Sequence, residues 1–205
     1  MAGSWKRLAH TELSSASDTV SSGTIANCKS LRVIIHAIKG SDAIGLGLEF
    51  NDDTTSTNYA YRRAEDWGSQ SSVASDDEIF VDTLGSSGSG SLWYGVIDIV
   101  NIANKEKLIF AHWNLMRHGT GASNPPTAKT MQGKWKNNSD AITSIRFTKG
   151  DGYTGNFASG SSITVYGADS DASVNKLQNN TIFEESDTGK HYIWNATTST
   201  WTEIA

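Results

Sequence analysis

The chain has 205 residues, and its 17 basic and 22 acidic side chains give a formal net charge of −5. Arg62-Arg63 is the only arginine pair, so the sequence lacks the basic block that binds nucleic acid or a membrane surface. No run approaches the length of a membrane span, and the opening MAGSWKRLAH lacks the apolar core of a signal peptide. We therefore expect a soluble protein made in the cytoplasm, and we expect its single cysteine, Cys28, to be a buried, inert thiol.

Short apolar runs separated by Gly, Ser, Thr, Asn and Asp follow one another along the chain. Short apolar runs separated by turn residues are typical of all-β proteins. No window of helical length sustains the i, i+3, i+4 and i+7 spacing of apolar residues that an amphipathic helix requires. The predicted strands are Trp5–Leu13, Lys29–Lys39, Ile44–Phe50, Asn58–Arg62, Glu78–Leu84, Leu92–Val100, Lys107–Met116, Thr130–Lys136, Ala141–Lys149 and Ser162–Ala168. They predict a two-sheet antiparallel β-sandwich, most simply a jelly roll, over residues 1–170.

Two of these strands make different predictions about burial. In AITSIRFTK (141–149), Ile145 and Phe147 alternate with polar residues, which indicates a strand with one buried face and one solvent-exposed face. In LWYGVIDIV (92–100), apolar residues occupy both faces, so we expect this strand to be more deeply buried than the first.

The end of the chain is unusually rich in β-branched and aromatic residues. Residues 171–180 are predicted to be a linker, and TIFEES, HYIWNA and WTEIA predict a three-stranded meander over 181–205. Gly189 stands where the tight turn DTGK favours positive φ. A sheet this small needs a packed face to be stable. Its aromatic side chains are therefore predicted assembly contacts: Phe183, Tyr192, Trp194 and Trp201.

Motifs for catalysis or metal binding are missing from the sequence. The histidines lack zinc spacing, there is no P-loop or GxSxG motif, and His112 is predicted to be a core or boundary residue. Acidic residues lie mostly in turns, where aspartate is common. A calcium site at Asp52 and Asp53, or at Asp169 and Asp171, is the alternative to solvated turn acids. We predict no catalytic residue, no cofactor and no metal.

The tryptophans fall into two groups by their position in the predicted strands. Trp5, Trp93 and Trp113 lie in alternating strands and are predicted to be core residues. Trp67 and Trp135 lie near turns and are predicted to be surface aromatics. Placed together on a concave face, and beside the long loops at 84–91 and 119–127, they would favour sugar binding.

Three stretches carry a likeness to a known family. They are the opening WKRLAHTEL, LGLEFNDDTTSTNYAYRR (46–63) and AITSIRFTKGDGYTGNFASGSSITVYG (141–167). In this order they resemble the jelly-roll virion structural proteins of tailed phages, many from marine hosts, over residues 4–168. The turn DDTTST departs from the family pattern, which often has glycine there. The C-terminal stretch is similar to a closing module of phage structural and tail-associated proteins.

The resemblance implies a protein without enzymatic activity that assembles into a particle. The first hypothesis is a capsid decoration (cement) protein, located in the virion after synthesis in the host cytoplasm. Its expected partners are other copies of itself, as a trimer or larger, and a major capsid or tail protein. The alternative is a carbohydrate- or receptor-binding module of a phage tail or head fibre, with host glycans as partners. A third hypothesis, a hydrolase, requires two facing acids of raised pKa in a cleft.

Overall fold

The computed structural model describes residues 5–40, 42–65, 68, 70–84, 91–116, 126–168, 180–185, 187–195, 198 and 200–204. Its contacts divide the chain into two units, Met1–Ser170 and Asp171–Ala205. Every regular element among the described residues is a β-strand. This part of the chain therefore offers no helix that could cross a membrane.

The first unit contains twelve strands. They are β1 (Lys6–Glu12), β2 (Thr19–Thr24), β3 (Ser30–Ile38), β4 (Ile44–Phe50), β5 (Tyr59–Glu65), β6 (Gln70–Asp76), β7 (Ile79–Leu84), β8 (Leu92–Val100), β9 (Lys107–Leu115), β10 (Thr127–Trp135), β11 (Ser144–Thr148) and β12 (Ser162–Ala168). An eight-stranded sheet has the order β1-β12-β3-β8-β9-β10-β5-β6, and a four-stranded sheet has the order β2-β11-β4-β7.

The strand order is that of a jelly roll. The quartets β1-β12-β3-β8 and β2-β11-β4-β7 form the two sheets, and the chain crosses between them at most steps, as in two interleaved Greek keys. The hairpins β5-β6 and β9-β10 widen the first sheet to eight strands, and every pairing is antiparallel. The predicted fold class, an all-β two-sheet antiparallel sandwich with a small C-terminal sheet, is confirmed.

The core lies between the two sheets. Trp93, Trp135, Phe50 and Phe147 are among its largest fully buried side chains, and Cys28 is buried as predicted. Strand β4 is buried at every position because side chains also cover its outward side: Phe80 and Tyr153 lie over Gly45, and Glu78 lies over Gly47. A Cβ at Gly45 would lie 2.7 Å from Phe80 Cε2 and 2.8 Å from Tyr153 Cδ2, so this close approach requires glycine.

The burial predictions have mixed outcomes. Ile145 and Phe147 are fully buried, and so are Trp93 and Trp113, as predicted. The prediction that β8 is more deeply buried than β11 is wrong, because the other sheet covers only one side of β8, and Tyr94 on the outward side is 47% exposed.

Two further side chains, one predicted to lie in the core and one predicted to lie in the core or at its boundary, are exposed. Trp5 precedes β1 rather than lying within it, and its ring lies under the Arg32 guanidinium on the surface. His112 takes the outward position between the buried Ala111 and Trp113 of β9, so it faces away from the core.

The C-terminal unit is an antiparallel sheet of order β13-β14-β15, formed by Ile182–Glu185, Lys190–Asn195 and Thr200–Ile204. Gly189 has φ of 68°, as the predicted turn requires. Residues 171–179 lie outside the described residues, so the linker stays a prediction.

Candidate functional site

The four aromatic side chains of the C-terminal sheet share one face. Phe183 pairs with Tyr192, and Trp194 pairs with Trp201. Because alternate residues of a strand share a face, Tyr192 and Trp194 bring the two pairs together. The ring centroids of Phe183 and Trp201 are 5.9 Å apart, and those of Trp194 and Trp201 are 5.2 Å apart. We call these four side chains the aromatic face.

The aromatic face remains open to solvent. Phe183 is 52% exposed and Trp201 is 39% exposed, while Tyr192 and Trp194 are half-buried. No acceptor among the described residues reaches the indole Nε1 of Trp194. The opposite face also exposes an apolar side chain, because Ile182 is 61% exposed. The sequence prediction therefore identified a real cluster of rings, and their role in assembly stays a prediction.

Polar groups lie at one end of the aromatic face. Lys190 Nζ lies 3.1 Å from Glu203 Oε2, and the Tyr192 hydroxyl donates to Glu185 Oε2 at 3.5 Å. The hydrogen bond and charge of Glu203 raise the pKa of Lys190. The surface thus combines an apolar centre with a charged border, as protein interfaces do.

A second surface lies on the outward side of the eight-stranded sheet. A cavity of about 340 Å³ is lined by Trp5, Arg32, Asp98, Val100, Leu108 and Phe110, among others. We call it the outer-face cavity. Arg32 donates to Asp98 through Nε at 2.7 Å and through Nη2 at 2.9 Å. The hydrogen bonds and charge of Asp98 raise the pKa of Arg32.

Sequence reasoning missed the outer-face cavity. Its side chains come from the segment before β1 and from β3, β8 and β9, so no local motif unites them. One signal was available in β9, where Leu108 and Phe110 alternate with the buried Ile109 and Ala111. Large apolar residues on both faces of a strand indicate either deep burial or an exposed contact surface.

A second cavity, of about 270 Å³, is polar. Lys129 Nζ lies 2.7 Å from Asp82 Oδ1 and 3.0 Å from Glu65 Oε2. Lys129 and Asp82 are both almost fully buried, so each charge depends on the other. Among the described residues, no donor reaches Asp82 Oδ2.

The prediction that Trp135 is a surface aromatic is wrong. The side chain is 0% exposed and packs against Phe50 and Tyr59, with ring centroids 5.8 Å and 6.5 Å away. Its Nε1 donates to Asp53 Oδ2 at 2.7 Å, and Lys107 Nζ lies 5.7 Å from its ring. Trp135 ends β10, so its nearness to a turn in sequence did not mean exposure. Trp67 lies outside the described residues, as do most of the two long loops.

The turn acids proposed for calcium are engaged by protein groups. Asp53 accepts hydrogen bonds from Trp135, Asn58 and Thr55, and Asp52 pairs with Arg146 at 2.9 Å. Asp169 and Asp171 lie outside the described residues. Across the described part of the chain, no group of three or more metal-binding side chains comes together.

Two buried acids, Glu49 on β4 and Glu78 directly before β7, have raised pKa values. Burial raises the pKa of Glu49, against the opposing hydrogen bonds and charge of Arg146. Burial also raises the pKa of Glu78, which accepts from Thr148 Oγ1 at 2.8 Å. Neither acid lines the cavities described above. Both carboxylates are occupied by structural partners, and the hydrolase hypothesis stays a prediction.

No protein-family model matches the chain, and no curated protein matches its sequence. Among solved structures, it is 11% identical to a mutant of the alginate lyase Aly36B in complex with an alginate tetrasaccharide, over 76% of this chain and 78% of that chain, with a TM-score of 0.27. It is also 11% identical to the CBM2 module of an evolved Dit from Lactobacillus casei BL23 phage J-1, over 84% and 83%, with a TM-score of 0.23. Scores this low carry no argument about function. The fold itself defines the class: an antiparallel jelly-roll β-sandwich followed by a separate three-stranded sheet.

Proposed function

We propose that this protein is a non-enzymatic virion structural protein, most simply a capsid decoration protein that forms a homo-oligomer through its aromatic face. The observation that carries the proposal is the aromatic face itself. Four rings gather on one side of a three-stranded sheet, and two of them are exposed by 39% and 52%.

Exposed rings at this density favour an interface. Tryptophan and tyrosine are enriched among the residues that dominate binding energy, because each contributes a large apolar surface with few rotatable bonds. Covering the exposed parts of Phe183 and Trp201 would remove roughly 200 Å² of apolar surface from water, or about 5 kcal/mol before the cost of association.

The likeness to jelly-roll virion proteins supports the particle part of the proposal. Its three stretches lie on β1, on β4 and β5, and on β11 and β12, so they follow the jelly-roll strands in order. The absence of enzymatic activity is supported by the two buried acids. Glu49 is held by Arg146, and Glu78 is held by Thr148 and the Asp151 amide.

Native mass spectrometry of the full-length protein tests the assembly step. We expect a defined oligomer that falls to monomer in the double variant Phe183→Thr/Trp201→Thr. Threonine keeps the strand propensity while it removes the ring. The matched control is Ile182→Thr, because Ile182 is more exposed than Phe183 but lies on the opposite face.

The results separate the parts of the proposal. A wild-type protein that stays monomeric at every concentration contradicts homo-oligomer formation through the aromatic face. An oligomer that Ile182→Thr disrupts as strongly as the double variant contradicts the choice of face. Decoration is tested by adding the protein to phage capsids that lack it and measuring co-sedimentation, which the double variant should reduce.

A further inference from the structure

We propose that the outer-face cavity binds a neutral oligosaccharide. The proposal concerns the jelly roll and does not depend on assembly through the aromatic face. It rests on the arrangement of two exposed rings around a paired arginine and aspartate, in a cavity of about 340 Å³. This volume lies at the lower end of the range for small-molecule sites.

The sheet register places the lining residues in an ordered row. Asp98 on β8 pairs with Arg32 on β3 and with Phe110 on β9. The Trp5 ring lies 5.2 Å from Arg32 Cζ, so it extends the row beyond β3. Neighbouring strands are about 4.8 Å apart, so the distance from Arg32 to Phe110 across the sheet is about 10 Å. A span of this size accommodates one or two sugar rings.

An apolar row lies beside the polar one. Val100 pairs directly with Leu108, and both side chains are exposed on the same outward face. A sugar ring has an apolar C–H surface and a rim of hydroxyl groups, so it can contact both rows at once. Its C–H surface would pack on Trp5 and Phe110, while its hydroxyls would reach the polar pair.

The polar pair is suited to hydroxyl groups. Asp98 can accept from a sugar hydroxyl, and Arg32 can donate to one, because both side chains are about two-fifths exposed. The two charges cancel, which favours an uncharged ligand over an acidic sugar.

The dimensions favour a sugar over a protein partner. A stable protein interface buries about 800 Å² on each side. Polar groups limit the apolar area around the cavity, because Gln132 and Tyr166 flank the row at Phe110 and Arg32.

The test is a titration of the full-length protein with neutral tetrasaccharides built from glucose, mannose or galactose. Binding is followed by saturation-transfer NMR and calorimetry, with tetragalacturonate as the charged comparison. We expect at least one neutral tetrasaccharide to bind, and we expect Trp5→Ala to weaken that binding about tenfold, as loss of a stacked ring does. Asp98→Asn should also weaken it several-fold.

Tyr94→Thr is the matched control. Tyr94 is an exposed aromatic on the same outward side of β8, but it does not line the cavity. We expect Tyr94→Thr to change the dissociation constant by less than about twofold, since it removes no contact with the ligand. An equal loss in Tyr94→Thr and Trp5→Ala would overturn the location of the site.

Two other results would overturn the proposal. One is the absence of binding by every neutral tetrasaccharide at millimolar concentration. The other is a native oligomer that dissociates in the variant Leu108→Asp, because this face would then be covered by a second copy. Neither result depends on Phe183 or Trp201, so failure here is distinguishable from failure of the assembly proposal. The tetrasaccharide should also be recovered with unchanged mass, because we propose that the site binds the sugar and does not cleave it.

Discussion

Replacing Trp135 by phenylalanine tests whether this side chain is a core residue of the jelly roll. Its Nε1 donates to Asp53 Oδ2 at 2.7 Å, and a hydrogen bond to a charged group contributes about 1.5–3 kcal/mol. The smaller ring also leaves a cavity beside Phe50 and Tyr59, which costs about 1 kcal/mol more. We expect the free energy of unfolding to fall by about 2.5–4 kcal/mol.

Urea unfolding followed by far-UV circular dichroism measures this change, because the substitution alters tryptophan fluorescence. The control Trp5→Phe should cost less than about 0.5 kcal/mol, since Trp5 is exposed. A double-mutant cycle with Asp53→Asn should give a coupling of about 1–3 kcal/mol. A loss below about 1 kcal/mol in Trp135→Phe, or no coupling to Asp53, would refute the reasoning.

The same hydrogen bond predicts a dependence on pH. Burial acts to raise the pKa of Asp53, but hydrogen bonds from Trp135, Asn58 and Thr55 outweigh it and lower this pKa below 3.8. A lowered native pKa means that Asp53 stabilises the fold above about pH 4 and that this contribution is lost as the pH falls further. Trp135→Phe should therefore reduce the acid sensitivity of unfolding near pH 3–4, and unchanged sensitivity would contradict the assignment.

Three further substitutions test other parts of the structure. Lys129→Met should cost about 3–5 kcal/mol because it leaves the buried carboxylate of Asp82 without its cation, and Lys129→Met/Asp82→Asn should recover much of the loss in urea unfolding. Glu78 has a native pKa raised above 4.5, so its contribution to stability is full below pH 4.5 and is lost as the pH rises through the native value. Glu78→Gln should therefore flatten the decline in thermal stability from pH 4.5 to neutral pH, and an unchanged slope would contradict this. Gly189→Ala places a side chain at φ of 68° and should destabilise the C-terminal sheet by about 1–2 kcal/mol. Amide exchange should then accelerate in β13 and β14 but not in the jelly roll, and acceleration in neither would be inconsistent with the turn.

The predicted strands agree with the structure where the run of apolar residues was clear and turn-forming residues preceded it. The bounds of β4, β8 and β12 agree with the sequence prediction at both ends, because each is a strongly apolar run that follows a glycine- or serine-containing turn and ends at a polar segment. Strands β2 and β6 were missed. Their sequences, TVSSGT and QSSVASD, contain almost no large apolar residues, and their pairing is fixed by β11 and β5. Tertiary pairing formed these strands where local preference did not.

Sites were predictable only where local geometry brought the residues together. Phe183 and Tyr192 pair across one hairpin whose turn is fixed by Gly189, so sequence alone placed their rings together. Trp135 depends instead on Phe50, which comes from the other sheet and lies far away in sequence. Such contacts depend on how two sheets pack, and no spacing rule within one segment reports them.

The strands of the C-terminal sheet favour assembly by face packing rather than by strand addition. Edge strand β13 carries Glu184 and Glu185, and edge strand β15 carries Glu203. Charged side chains on a short edge discourage pairing with another strand. A partner can instead cover the larger apolar surface, which is the aromatic face.

Face packing also makes the oligomer size informative. If the aromatic faces of two copies pack on each other, the contact uses the same patch twice and closes with two-fold symmetry, which gives a dimer. A trimer or larger ring requires that the aromatic face packs on a different surface of the next copy. Native mass therefore distinguishes the two arrangements. A trimer would identify a second contact surface outside the aromatic face, and a dimer would show that the aromatic face is sufficient by itself.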